Sequence, residues 1–143
     1  MRSEGMRLKF ERLAFDSNAA IALLRPERPT PPPFTEARSL VMPLFVLAEL
    51  ELGRSRQHVK SRDILSELVT ACTILAPDRD TVTHYVAVRT EMLRGHTLPA
   101  SAEAREGLHH DIWIAALCIQ HKLPLLSNDH DMSRVSALDL VRW

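Results

Sequence analysis

Short apolar runs alternate with longer amphipathic stretches along the whole chain. Residues 12–15 (Arg-Leu-Ala-Phe) read as a strand that ends at Asp16, and 39–42, 72–75, 124–126 and 138–142 read as further strands. Helices are predicted between them. The first covers 19–24, with Asp16 or Ser17 as its cap. The second, 44–52, is opened by Pro43 and stopped by Gly53. Others span 56–71, where Val59, Asp63, Ile64, Glu67, Leu68 and Ala71 mix apolar and charged faces, and 81–94, capped by Asp80 or Thr81 and closed by Gly95. In the latter, Val82, Tyr85, Val86 and Arg89 follow the i, i+3, i+4, i+7 rule of an apolar body with a charged edge. The last helix covers 109–122. The proline-rich stretch 25–33 must be a surface loop, because proline removes donors and fixes φ. A helical turn follows around 34–38. Residues 96–107 have little periodicity and read as a loop.

Strands alternating with helices imply a mostly parallel central sheet of about five strands with helices on both faces. The expected fold is one three-layer α/β/α domain over residues 1–143. Ligands in such sheets bind at the carboxyl ends of the strands.

At 143 residues the chain is long enough for one proper core. Its 45% hydrophobic and 25% charged residues are ordinary for a globular domain. No run is apolar enough to span a membrane, and the charged start MRSEGMRLKFER has no signal-like core, so a cytoplasmic protein is expected. Cys72 and Cys118 lie in apolar runs and read as buried free thiols. The 18 basic and 18 acidic residues cancel. That balance excludes holding nucleic acid by bulk charge, yet leaves room for a local basic rim. Bases cluster at Arg25 and Arg28, across 54–62, and at Arg89 and Arg94.

The acids carry more information. Asp16 follows the first strand directly, and Asp129 follows the fourth, so both belong to the carboxyl edge of the sheet. Asp111 is expected in the first turn of its helix, where the dipole alone would explain an acid. It nevertheless shares a stripe with the core residues Ile114, Ala115 and Cys118. Glu49 is the clearer anomaly. Its helical neighbours Phe45, Val46, Leu52 and Gly53 are apolar or small, whereas Glu51 faces Arg54 in an ordinary surface pair. A carboxylate on an apolar face calls for a cation or a donor.

Four acids on one edge repel each other. Two charges about 4 Å apart cost about 4 kcal/mol at an effective dielectric near 20. A divalent cation relieves that cost, and an oxygen-only donor set suits Mg2+ or Mn2+. His109, His110, His121 and His130 lack zinc spacing and read as rim or structural residues.

The segments Leu13-Ala14-Phe15-Asp16-Ser17-Asn18, Pro43 to Gly53 with Glu49, His110-Asp111-Ile112-Trp113 and Leu126-Ser127-Asn128-Asp129 come in an order and at gaps that resemble the PIN-domain nucleases, close to the VapC toxins of bacterial toxin–antitoxin pairs. The resemblance covers almost the whole chain. It implies that Asp16, Glu49, Asp111 and Asp129 hold one or two Mg2+ or Mn2+ ions and cut RNA. It also implies that Ser17 and Ser127 are the small hydroxyl residues beside them, and that Asp131 is an additional outer acid. An antitoxin that lays a helix and a tail over the acidic groove, and a homodimer, follow from the same likeness. Arg25, Arg28 and Arg89 are the arginines expected to grip RNA. The chain departs from the family at His110, where Asn is common, at Met132, where Phe is common, and in the length of 96–107.

Other acid-edged α/β enzymes fit less well. A haloacid-dehalogenase phosphotransferase needs Asp-x-Asp after the first strand, and here Asp16-Ser17-Asn18 lacks the second acid. A receiver domain needs an acidic pair after the first strand and a lysine after the last, and neither is present. A non-catalytic PIN-like metal-binding or adaptor domain, with acids that merely cap helices, is the remaining alternative.

Overall fold

Strand β1 (Phe10–Phe15) explains the architecture. Leu13, Ala14 and Phe15 are consecutive and all fully buried, so this end of the strand is covered on both faces. That is the pattern of a central strand in a parallel sheet. β1 pairs with β2 (Ala37–Pro43) on one side and with β4 (Leu125–Leu126) on the other. β3 (Cys72–Leu75) lies outside β2, and β5 (Leu140–Val141) outside β4. The order is β3-β2-β1-β4-β5 and every pairing is parallel. The computed structural model describes residues 7–56 and 62–143.

The helices are α1 (Ser17–Leu24), α2 (Leu44–Arg56), α3 (Arg62–Ala71), α4 (Thr81–Met92) and α5 (Ala102–Gln120), on both sides of the sheet. Short 3-10 helices cover Pro32–Glu36 and His130–Arg134. The three-layer α/β/α arrangement with five parallel strands is the one expected. Among the described residues no helix is long and apolar enough to cross a membrane.

The chain runs outward from β1 through β2 to β3, then returns to the other side of β1 for β4 and β5. The carboxyl ends of β1 and β4 therefore border the point where the winding reverses, the usual ligand crevice of such sheets. Phe15 stands in register with Leu126 there, and the Asp16 amide donates to Leu126 O at 3.1 Å.

Several local expectations are corrected. Pro43 does not open α2; it closes β2, opposite Leu75. Gly53 does not stop α2, which continues to Arg56. A mid-helix glycine costs only about 1 kcal/mol, and the Glu51–Arg54 pair at 2.5 Å spans it. In α4 the sheltered residues are Thr81, Val88 and Met92. The Val82 and Val86 stripe faces solvent instead, with Val86 57% exposed. The predicted helix 56–71 is seen from Arg62 onward, and Val59 lies outside the described residues.

The largest correction concerns 96–107. Only its first part is loop, and α5 begins at Ala102. Ser101 caps it, accepting from the Ala104 amide at 3.1 Å. Arg105 fixes the approach by donating to Pro99 O and Ala100 O. The small and charged residues of this turn bury nothing, so no apolar periodicity marked it as helix. Gly95 does close the preceding segment, at φ 74°. Both cysteines are free, Cys118 buried and Cys72 half-buried.

Candidate metal centre

The centre of the site is Asp16, 5% exposed at the end of β1. Its backbone has just left the sheet, so its side chain caps α1 by accepting from the Ala19 amide at 2.9 Å. Its other oxygen accepts the hydroxyl of Ser127 at 2.5 Å. Ser127, fully buried, occupies the equivalent place after β4. Adjacent strand ends thus join residues distant in sequence. Burial pushes the Asp16 carboxyl above its ordinary value; the Ser127 and Ala19 hydrogen bonds oppose this, and Asp129 and Glu49 add to it by repulsion.

Ser127 also organises the next turn. Its hydroxyl oxygen accepts from the Asp129 amide at 3.1 Å, and the Asp129 carboxylate accepts from the Asp131 amide at 2.9 Å. Asp131 therefore supports the turn through its backbone. Its own carboxylate points to Arg134, at 3.3 Å.

Asp111 lies in the middle of α5, not in its first turn. No helix terminus explains it. Ile112 and the run Ile114, Ala115, Ala116, Leu117 and Cys118 beside it are buried. The Asp111 carboxyl is pushed up to about 8, by burial first, then by repulsion from and a hydrogen bond with Asp129, then by Asp16 and Glu49. Burial and the neighbouring Asp129 thus both make Asp111 harder to ionise.

Glu49 approaches from α2. It is less enclosed than its apolar neighbours implied, with 34% of its side chain exposed. His110, beside Asp111 on α5, reaches it through Nδ1 at 2.8 Å. The His110 ring rests on Phe45, with centroids 5.6 Å apart. This contact was missed in the sequence; the only signal was that His110 adjoins Asp111. His109 instead meets the Tyr85 hydroxyl at 2.6 Å and stacks on its ring.

Asp111 thus feels Asp129, Asp16 and Glu49, and Asp16 feels Asp129 and Glu49. They do not form a closed cage: among the described residues, no three His, Cys, Asp or Glu side chains are grouped to hold an ion. Asp16 is held by Ser127 and the Ala19 amide, Glu49 by His110, and Asp129 by the Asp131 amide. The residues fit a hard divalent cation in two respects. All four donors are carboxylates whose mutual repulsion a cation would relieve. Beside Asp16, the buried hydroxyl of Ser17 has no hydrogen-bond partner among the described residues, as a group facing hydrating water would.

A cleft of about 340 Å³ opens beside Glu49, between α1, α2 and α3. Ile21, Leu24 and Leu50 give it apolar walls, and Arg25 and Arg54 stand at its edge.

Comparison with curated protein sequences gives no match. Solved structures are similar in fold. A chain of VapBC2 from Rickettsia felis, bound to a DNA fragment of its promoter, superposes with a TM-score of 0.73 at 19% identity, covering 92% of this chain and 98% of the other. DNA-bound VapBC from Salmonella typhimurium gives 0.71 at 19% identity, covering 95% and 98%. FitAcB from Neisseria gonorrhoeae gives 0.69 at 18% identity, covering 90% and 95%. The model of the PIN domain matches residues 13–138, a span that includes every acid of the site. The chain belongs to the PIN-domain family.

Proposed function

We propose that the protein is a Mg2+- or Mn2+-dependent endoribonuclease, the toxin of a VapBC-type pair. The position of Asp111 carries the reading. It sits in mid-helix, beside buried apolar residues, where Asp129, Asp16 and Glu49 all repel its charge. Such a placement is costly in a core and useful at a cation site, where an ion offsets the repulsion.

Asp16, Asp111 and Asp129 would hold the ion, and Glu49 would join them or orient the attacking water. Bound there, Mg2+ or Mn2+ supplies Lewis acidity toward water and neutralises charge on the scissile phosphate. Ser127 keeps the Asp16 oxygen aimed. Ser17 offers its unpartnered hydroxyl to hydrating water. In-line attack leaves 5′-phosphate and 3′-hydroxyl ends. With zero net charge, RNA is gripped locally, and Arg25 and Arg54 at the cleft edge serve its phosphates.

The antitoxin would occupy the same cleft. Apolar walls beside Glu49 suit an amphipathic helix with a basic residue reaching the acid. The similar solved structures are of toxin–antitoxin complexes, which supports this partner. The solvent-facing Val82 and Val86 support a second copy of the chain against α4.

A non-catalytic adaptor is the second reading, favoured by the lack of a closed three-acid group among the described residues. Cleavage of a structured RNA with Mg2+, with EDTA, and by Asp16→Asn decides between them. Cleavage lost in both controls supports the nuclease; cleavage untouched by either rejects it. If no RNA is cut, calorimetric Mn2+ binding separates a metal site lacking its substrate from an adaptor.

A further inference from the structure

The turn that carries Ser127 and Asp129 is held from outside by the end of the β5 segment. The Arg142 guanidinium donates through Nη1 to two carbonyls of that turn, Ser127 O at 3.2 Å and Asp129 O at 3.0 Å. The Ser127 amide pairs with Val141 O at 3.0 Å, the last backbone rung before the turn leaves the sheet. Asn128 then replaces the missing rung with its side chain. Its Oδ1 accepts from the Trp143 amide at 3.1 Å, and its Nδ2 donates to Trp143 O at 3.2 Å. Backbone, Asn128 amide and Arg142 thus grip three successive residues. The inner face of the same turn presents the Ser127 hydroxyl and the Asp129 carboxylate to Asp16 and Asp111.

We infer that Arg142 is a positioning residue for the acidic centre, setting where Asp129 and Ser127 stand through the two carbonyls it holds, with Asn128 as its counterpart on the other strand. The inference rests on the metal-site reading above. Residues that orient ligands from outside commonly contribute roughly tenfold or more to metal affinity.

The sign of the effect distinguishes this role from a simple charge effect. A cation near an acidic centre repels Mn2+, so if Arg142 acted by charge alone, Arg142→Gln would tighten Mn2+ binding. If it acts by positioning, binding weakens. Mn2+ affinity is measured by calorimetry on the full chain for wild type, Arg142→Gln, Arg142→Lys and Asn128→Ala, with Arg38→Gln as a distant charge control. The expected result is roughly tenfold weaker binding for Arg142→Gln, partial recovery with lysine, and weaker binding for the charge-neutral Asn128→Ala. In the metal-free protein, amide exchange at Asp129 and Asp131 should accelerate in both loosened variants while exchange in β1 stays unchanged. Unchanged or tighter binding by Arg142→Gln overturns the inference. So does an Asn128→Ala protein with wild-type affinity and wild-type exchange in the turn. Wild type that binds no Mn2+ overturns the metal-site reading instead.

Discussion

Ser127 donates its hydroxyl to Asp16 across the carboxyl ends of neighbouring parallel strands, joining residues 111 positions apart. Because both are buried, this hydrogen bond is a main reason the Asp16 carboxyl is not pushed up further. Ser127→Ala removes a donor to a buried acid, a loss worth about 1–3 kcal/mol. The cost should be largest at neutral pH, where Asp16 would otherwise ionise, and shrink in acid. Urea unfolding at two pH values checks this, and the Mn2+-binding profile should move to higher pH.

Asp111 makes the metal-free protein pH-sensitive in an unusual direction. Its carboxyl titrates near 8 in the fold against an ordinary 3.8. Between those values the folded state holds a proton that the unfolded state has released. Stability is therefore full below the unfolded value and lost as pH rises toward the folded one, at no more than about 1.4 kcal/mol per pH unit. Asp111→Asn should flatten the slope, leaving the smaller part due to Asp16. Thermal denaturation from pH 5 to 8 reads both. Saturating Mn2+ should reverse the trend, since the ion competes with that proton, and its binding should release protons to the buffer.

The Glu49–His110 pair is partly exposed, so breaking it should cost under about 1 kcal/mol of stability. Its effect belongs to activity. His110→Ala leaves Glu49 without its donor and should lower kcat by roughly tenfold or more while the melting temperature hardly moves. A loss of RNA affinity with unchanged kcat would place His110 in substrate binding instead.

Thr81 is fully buried at the start of α4. It accepts from the Asp78 amide at 2.9 Å and contacts Gln120 at 2.5 Å, tying α4 to the end of α5. Thr81→Val keeps the shape but removes its bonds to the exposed Asp78 and the half-buried Gln120, which water can partly replace, so it should cost about 1 kcal/mol. Any activity of the acidic centre at low temperature should be unaffected, because the node's bonds tie α4 to the end of α5 and involve none of the four acids.

The architecture was legible because strand-sized apolar runs and helix caps recur with little ambiguity. The placement of the candidate residues was legible where they follow strands directly, as Asp16 and Asp129 do. Asp111 was found for an incomplete reason. Its helix was expected to start beside it, which made the dipole a sufficient explanation; the true start at Ala102 removes that explanation. Glu49 was read as facing an apolar surface, yet Leu52 on that face is 49% exposed. Helical spacing reports which residues are neighbours, not which face the core covers. The same limit holds for Val82 and Val86, whose helical spacing was read correctly but whose side chains face solvent. Arg142 had no local signature at all, since its partners are two backbone carbonyls brought near only by the β4–β5 pairing.

The strand order has a consequence for a chain emerging from the ribosome. β1, β2 and β3 are made early and can pair with one another, and Asp16, just after β1, and Glu49, on α2, are made with them. The acids that complete the group arrive on α5 and after β4, and β4 must insert beside β1 from the far side. Until that late strand docks, Asp16 lacks Ser127 and the crevice has one wall. A partly synthesised chain therefore lacks Asp111, Ser127 and Asp129, and the acidic group is complete only once α5 has been made and β4 has docked beside β1.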